Sequence, residues 1–599
     1  MFNILFLLMS ISVLPALATV RPAVQKYHAG EILVKFAMNR SSAFERQAQI
    51  KSMGAKAVKS VNPDGLVHIK TRLNQTVEEA VAEYQKLASV EYAQPNFRYQ
   101  KSAAPNDPQY MNQWAWKNTG QKITSGNYTA HNPGLTGKDL GLEGAWDLIT
   151  DCSAITVAVV DTGINYTHSD LVANMWNGGT AYPNHGYNFI NSNNDPMDLD
   201  GHGTHVAGIV GAVGNNGIGT TGVCWRASLM AVRVLDSSGS GSTVDIVSGV
   251  DFAVANGAKV INLSLGQSSL DPALETSIVN AANHGVIVVV AAGNDGINND
   301  GSGTPTYPCN FHQPNLICVA ALDQAFHLAA FSNYGEQSVA VGAPGTNFTS
   351  LWAGSNGVLS DSFNTNGSMN WTRNNTSAWG YSQQSLSQGS TSSILSSPSN
   401  WDRSTTKYPN NLDARVRKKF NLAGVSSAVV DFWAYLDTET AHDFFRVGYE
   451  TAGGDPFTSG LVIDQESGSS QGAPINLTFD ISGCRTSQCS LGFQLTSDAS
   501  GTDFGVGIFD FMITTLTINT NSYRTIDGTS MATPVVSGLV AMVLAYNPDF
   551  TIADAIRAVE SGGRSVSDLF GKTSSGNGVH ALGALSYIAP PSGVTTVVH

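Results

Sequence analysis

VIVVVAAG at residues 286–293 is eight residues without a polar side chain, four of them valine. A run this short, apolar at every position and rich in β-branched residues fits a strand buried on both faces. Similar runs recur at 155–161 (ITVAVVD), 228–235 (SLMAVRVL), 259–265 (KVINLSL) and 316–322 (LICVAAL). Helical patterns lie between them at 204–213, 242–256 and 273–284. Buried strands alternating with helices predict an α/β domain with an open, mostly parallel sheet and helices on both faces.

Downstream the text changes. From about 352 to 522, Ser, Thr, Asn and Gly dominate, and strand-like pieces recur, such as AVVDFWAYL, FFRVGYE, SLGFQLTS and GIFDFMITT. Their alternation predicts an all-β sandwich, and GIFDFMITT resembles a strand of jelly-roll-like accessory domains. Trp371, Trp379, Trp401 and Trp433 are expected in its core, and Asp437, Glu439 and Asp443 on a solvated face, with calcium binding as the alternative for these acids. Helical text returns at 533–546 and 552–560, so the β segment is an insertion. The expected limits are 105–351 and 523–599 for the two parts of the α/β domain, with 352–522 inserted between them.

Upstream, residues 30–99 read strand, helix, strand, helix, with Val77, Ala80, Val81 and Tyr84 at helical spacing. This predicts a small α+β unit within 19–104, ending in the exposed, cleavable linker RYQKSAAPNDP. Residues 1–18, MFNILFLLMSISVLPALA, have the length of a signal-peptide core and end in Ala16-Leu17-Ala18. Cleavage after Ala18 is expected, and the destination is secreted and extracellular. No Lys or Arg precedes the run, and an N-terminal anchor is the alternative. No later stretch reaches about 18 uninterrupted apolar residues, so no membrane partner is expected after cleavage.

With 599 residues, several domains are expected at roughly 100–200 residues each. The net charge is −14 and no dense basic run stands out, which argues against nucleic acid as a partner. Six cysteines at 152, 224, 309, 318, 484 and 489 suit an oxidising compartment. Pairs 309/318 and 484/489 would close short loops and leave 152 for 224. Six cysteines nevertheless allow 15 connectivities, and free buried thiols are the alternative.

Three segments carry chemistry. VAVVDTGIN places Asp161 at the carboxyl end of a buried strand, where open α/β sheets form their ligand crevice. DGHGTHVAGIVGA sets His202 at a helix start among glycines, and DGTSMATPVVSGLVAMVLA sets Ser530 at the opening of a long apolar helix. Free amides and the helix dipole there favour developing negative charge. His205, His168 and Met531 are read as packing or hydrogen-bonding residues. Alone, each group has a plain reading: Ser530 as a helix-start residue, Asp161 as a turn cap, His202 as a structural ring.

In the order Asp, His, Ser, these motifs resemble those of the subtilisin-like serine endopeptidases. VVVAAGNDG resembles the segment whose asparagine, here Asn294, donates to the oxyanion. Ser264, Leu265, Gly266, Ala291, Ala292 and Gly293 resemble the walls of the primary specificity pocket, which Asp295 makes receptive to basic or polar side chains. The likeness covers about 140–350 and 523–588; removing 171 inserted residues cuts the His202 to Ser530 separation from 328 to 157. It implies a secreted serine endopeptidase made as a zymogen, with Ser530 as nucleophile, His202 as base and Asp161 as its orienter. Residues 28–100 resemble the inhibitory prosegment, released by self-cleavage near Ala103 or Ala104. The likeness also implies a structural calcium held by Asp170 and Asn216, carbonyls of Ile218 and Thr220, and Asp107, all oxygen donors. Expected partners are protein or peptide substrates and the chain's own prosegment, and the chain is expected to be a monomer. The competing class is a catalytically vestigial scaffold whose inserted β domain binds a surface or a protein.

Overall fold

The structure, a computed structural model, describes residues 27–97, 104–361, 363, 370–374, 378–385, 391–399, 406–471 and 473–588. The signal segment with its cleavage after Ala18, Ala103 at the expected processing point, and Trp401 lie outside the described residues. The chain divides into two units, Met1–Ser102 and Ala103–His599.

In the first unit, antiparallel strands run in the order Lys56–Ser60, Leu66–Lys70, Tyr27–Phe36, Val90–Phe97, with helices Ala43–Ser52 and Val77–Gln85. Each helix opens on a capping box, Ser42 with Glu45 and Thr76 with Glu79, which satisfies amides that have no partner within the helix. Ile32, Val34, Phe36, Ile50, Ile69 and Tyr84 form the core. Two strands go beyond the sequence reading. Val90–Phe97 contains Pro95, which argues against a strand, but it lies at the sheet edge, where a missing N–H costs little.

The main sheet of the second unit contains β1 (Asp151–Asp161), β2 (Gly186–Asn188), β3 (Arg226–Arg233), β4 (Val260–Leu263), β5 (Ile287–Ala291), β6 (Leu316–Leu322) and β7 (Val341–Pro344). They lie in the order β7-β6-β5-β4-β1-β3-β2, all parallel, and two short strands, Arg564–Ser565 and Asn577–Gly578, extend the β7 edge. Alternation serves both faces. Val157, Val159 and Val289 pack on the side of α1 (His202–Gly211) and α4 (Thr529–Tyr546). Ala158, Val160, Val288 and Val290 pack on the side of α2 (Thr243–Ala255) and α3 (Pro272–Asn283). Full burial of each such valine contributes about 1.5–3 kcal/mol. α4 meets the length and apolarity of a membrane span, yet 78% of that window is buried in this core.

The insertion leaves on strands rather than loops. β8 (Phe348–Asp361) and β9 (Gly505–Ile526) form an antiparallel ribbon on which Trp352 faces Ser522. Among the described residues the ribbon belongs to an antiparallel sheet of six strands, which shares one core with a second sheet of five. Trp371 and Trp379 are buried there, whereas Trp433 is 38% exposed. Asp437 and Asp443 are buried too, against the expected solvated face; Asp443 accepts hydrogen bonds from the Tyr408 hydroxyl and the Asp498 amide. Charge is also less evenly spread than the sequence reading held. RVRKK at 415–419 sets four cations in one strand, with Arg415 on Asp413 and Asp455 and Lys418 on Asp361. The disulfides are Cys152–Cys224, Cys309–Cys318 and Cys484–Cys489.

Phe493 is the hub of the inserted core, its ring lying 5.4 Å from Trp371, 5.2 Å from Phe432 and 5.9 Å from Phe445. Phe493→Ala is expected to destabilise the insertion by about 3–5 kcal/mol in denaturant unfolding. A loss under about 1 kcal/mol would place the hub elsewhere.

Candidate active site

Asp161 ends β1 and is fully buried, while His202 begins α1 and its side chain keeps 25% exposure. Their elements meet because glycines leave room. A side chain at Gly201 would strike the Trp352 ring at 2.3 Å, and one at Gly203 would strike the Gly163 carbonyl at 2.1 Å. His202 Nδ1 lies 2.8 Å from Asp161 Oδ1. An ionised carboxylate accepts there, so the proton belongs on Nδ1 and Nε2 is left as an acceptor.

Ser530 is the second residue of α4. Pro534, four residues on, has no amide hydrogen, so the Ser530 carbonyl loses its helical donor. Ser264, just past β4, supplies one: its hydroxyl donates to that carbonyl at 3.0 Å. In return the Ser530 hydroxyl donates to the Ser264 carbonyl at 3.2 Å and makes no hydrogen bond to His202 among the described residues. Such contacts are often loose before substrate binds. Asn294 follows β5. Its Oδ1 accepts from the Thr529 amide and hydroxyl, each at 2.9 Å, and its NH2, beside the helix start, makes no hydrogen bond among the described residues.

A 620 Å³ cavity adjoins these groups, lined by Leu265 to Ser268, Ala291, Gly293 to Asp295, Gly303 to Thr306, Thr529 and Ser530, among others. Of the six expected wall residues, Leu265, Gly266, Ala291 and Gly293 line it. Ser264 and Ala292 do not: the first holds Ser530, and the second is wholly buried in the core. The wall at 303–306 escaped the sequence reading, since a Gly/Thr/Pro loop looks the same wherever it folds.

Burial alone would lower the basicity of His202. The Asp161 charge, its hydrogen bond and the charges of Asp200 and Asp198 outweigh that and hold the ring up at about 9. Asp200 Oδ1 accepts the His202 amide at 2.9 Å, and burial followed by the Asp198 charge raises its carboxyl to about 6. His205 differs: burial holds it down at about 3, with Nε2 3.1 Å from the Phe348 and Arg524 carbonyls.

Elsewhere, Asp107, Asp170, Asn216 and Thr220 come together. Asp170 accepts from the Asn216 side-chain amide at 2.8 Å and the Thr220 backbone amide at 2.9 Å, and Asp107 accepts from the Asn215 amide at 2.7 Å. Burial, with the Asp107 charge adding to it, pushes Asp170 up to about 7. The buried Thr220 hydroxyl has no partner among the described residues. Two buried carboxylates and an unpaired oxygen fit a hard cation, whereas the Asn216 oxygen is turned onto the Ile218 amide at 2.7 Å. In the insertion, Glu439, Asp443 and Asp498 offer oxygens within 4.8 Å of one another.

Residues 153–394 and 499–573 match the Subtilase family, and residues 15–96 match the Fervidolysin N-terminal prodomain. The chain is 37% identical over 333 residues to the thermophilic serine proteinase of Bacillus sp. (strain AK1), covering 55% of this chain and 72% of that one. It is 38% identical over 224 residues to thermitase of Thermoactinomyces vulgaris, 37% of this chain and 74% of that one. Against Subtilisin Savinase of Lederbergia lenta it is 41% identical over 226 residues, 38% and 71% of the two chains. The chain belongs to the subtilase family. It is a serine-type endopeptidase with an N-terminal prodomain.

Asp200→Asn keeps the acceptor for the His202 amide and removes a charge that favours imidazolium, so the His202 titration midpoint should fall below 9 by NMR. An unchanged midpoint would leave Asp161 as its main determinant.

Proposed function

We propose that Ser530, His202, Asp161 and Asn294 hydrolyse peptide bonds of protein substrates. The observation that carries this reading is the 2.8 Å contact of His202 with a fully buried Asp161 at the same sheet edge as Ser530. The Ser530 hydroxyl leaves the Ser264 carbonyl, turns to His202 Nε2 and attacks the scissile carbonyl carbon as the imidazole takes its proton. Asp161 holds the tautomer and stabilises the imidazolium. The Asn294 NH2 and the Ser530 backbone amide receive the oxyanion. On collapse the C–N bond breaks and His202 protonates the leaving amine; a water then releases the acyl group by the same steps. His202 must be neutral to begin, so activity should rise with pH towards about 9.

The reading extends to a secreted zymogen: signal 1–18, prosegment 19–104, catalytic parts 105–351 and 523–599, and insertion 352–522. The prosegment inhibits until self-cleavage near Ala103 or Ala104. Asp107 and Asp170 with the Ile218 and Thr220 carbonyls, and Asn216 once its oxygen turns from the Ile218 amide, would hold a calcium ion, which would supply positive charge to the buried carboxylates. The vestigial reading gains no specific support, since a disused site has no need of a charged, buried Asp–His pair.

A serine-directed fluorophosphonate with peptide mapping tests the nucleophile, and an intact mass tests prosegment loss. Adduct on Ser530 is expected in the parent and none in Ser530→Ala; no adduct on folded, processed parent would sink the reading. Asn294→Ala should lower kcat about 10²–10³-fold, a magnitude carried over from subtilisin. Calcium removal should lower stability by about 2.7 kcal/mol relative to free calcium at about 100 times Kd, and Asp170→Asn should abolish that dependence in thermal unfolding.

A further inference from the structure

For His202 to meet Asp161, the turn after β1 and the first turn of α1 must stay in register. A side chain at Gly163 would strike the Pro196 carbonyl at 2.4 Å, so the turn also packs directly on the segment before His202. Asp198 belongs to that segment and is fully buried. Its Oδ1 accepts from the Thr162 hydroxyl at 2.9 Å, the Asp200 amide at 3.0 Å and the Gly201 amide at 2.8 Å. Its Oδ2 accepts from the Thr204 amide at 2.9 Å and the Thr204 hydroxyl at 2.6 Å. The Thr162 hydroxyl in turn accepts the Gly203 amide at 2.9 Å.

These donors sit around the two groups that must meet. Thr162 follows Asp161, while Gly201, Gly203 and Thr204 surround His202 in sequence. Gly201 is the N-cap of α1 and has no side chain, so the capping of this helix falls to Asp198, a carboxylate where the helix dipole favours one. Five donors offset the desolvation of a buried charge. Asp161 is held more loosely: Oδ1 accepts from the Thr162 amide at 2.7 Å and meets His202, whereas Oδ2 has no partner among the described residues. The Asp161–His202 geometry therefore depends on the backbone that carries both residues.

We propose that Asp198 is a positioning residue for proteolysis, clamping the Asp161 turn to the start of the His202 helix so that Nδ1 stays on Oδ1. It touches neither the substrate nor the reacting atoms, and the inference rests on Asp161, His202 and Ser530 being the catalytic set. An amide in its place accepts at one end and donates at the other, so it cannot serve both Thr204 and the Thr162 and Gly201 donors.

The test uses the full chain with Asp198→Asn, Thr162→Val and Thr162→Ser, each also in a Ser530→Ala background for NMR of the His202 Nδ1 proton. Asp198→Asn and Thr162→Val should lower kcat about 10²-fold with KM near the parent's, and should shift or erase the Nδ1 resonance; Thr162→Ser should restore both. Thr162→Val removes one hydroxyl and carries the test if Asp198→Asn does not fold. Parent kcat and an unmoved resonance in the folded variants would overturn the proposal, as would a loss of activity matched only by a loss of folded protein. Full activity in Ser530→Ala would instead overturn the catalytic assignment, and the resonance would still report on the clamp.

Discussion

All seven long-range strands of the main sheet run the same way, and that constraint places the chemistry. A parallel sheet ends its strands on one edge and starts its helices there, so side chains from distant parts of the sequence converge without long loops. Asp161 ends β1, Ser264 follows β4 and Asn294 follows β5, while His202 and Ser530 open α1 and α4. Helix starts also bring unpaired amides and a positive dipole end to that edge. Both are used, by Asp198 at α1 and by the Asn294 oxygen at α4.

The electrostatics follow from the same crowding. Asp161, Asp198 and Asp200 surround one imidazole, and each favours its protonated form. Asp198 spends its oxygens on five donors, whereas Asp161 keeps one oxygen without a partner among the described residues and its pairing with His202. His205, three residues along the same helix, faces two carbonyls and no acid, so burial decides and it stays neutral. Proximity in sequence therefore says little about the state of a ring; the partner that burial leaves it says most.

The parallel sheet was legible because a strand buried on both faces must be apolar at successive positions, a pattern that half-solvated strands and surface helices do not share. The pairing of Asp161 with His202 and the placing of Asn294 beside the start of α4 follow short motifs that carry their own local geometry. What depended on tertiary placement was not legible. Pro95 hid an edge strand, and the donor missing at Pro534 is replaced by the hydroxyl of Ser264, which lies just past β4 and far away in sequence. The 303–306 wall is ordinary loop text until it folds beside Gly266. Asp198 was invisible for the same reason: three of its five donors come from Thr162 and Thr204, 36 and 6 residues away.

The insertion shows how far such dependence reaches. A domain on flexible linkers could be removed with little local effect, but β8 and β9 enter the site as paired strands. The Trp352 ring occupies the space that a side chain at Gly201 would need, one residue before His202. The Asn165 side chain donates to the Ala353 and Asn519 carbonyls, one on each strand of the ribbon, and the Ser427 hydroxyl of the sandwich donates to the Leu199 carbonyl. Taking the ribbon away would open space beside the His202 helix and leave a buried amide without acceptors, at a cost of about 1–3 kcal/mol for that group alone. The catalytic fold and its insertion thus share one hydrogen-bond network, and the segment they share carries His202.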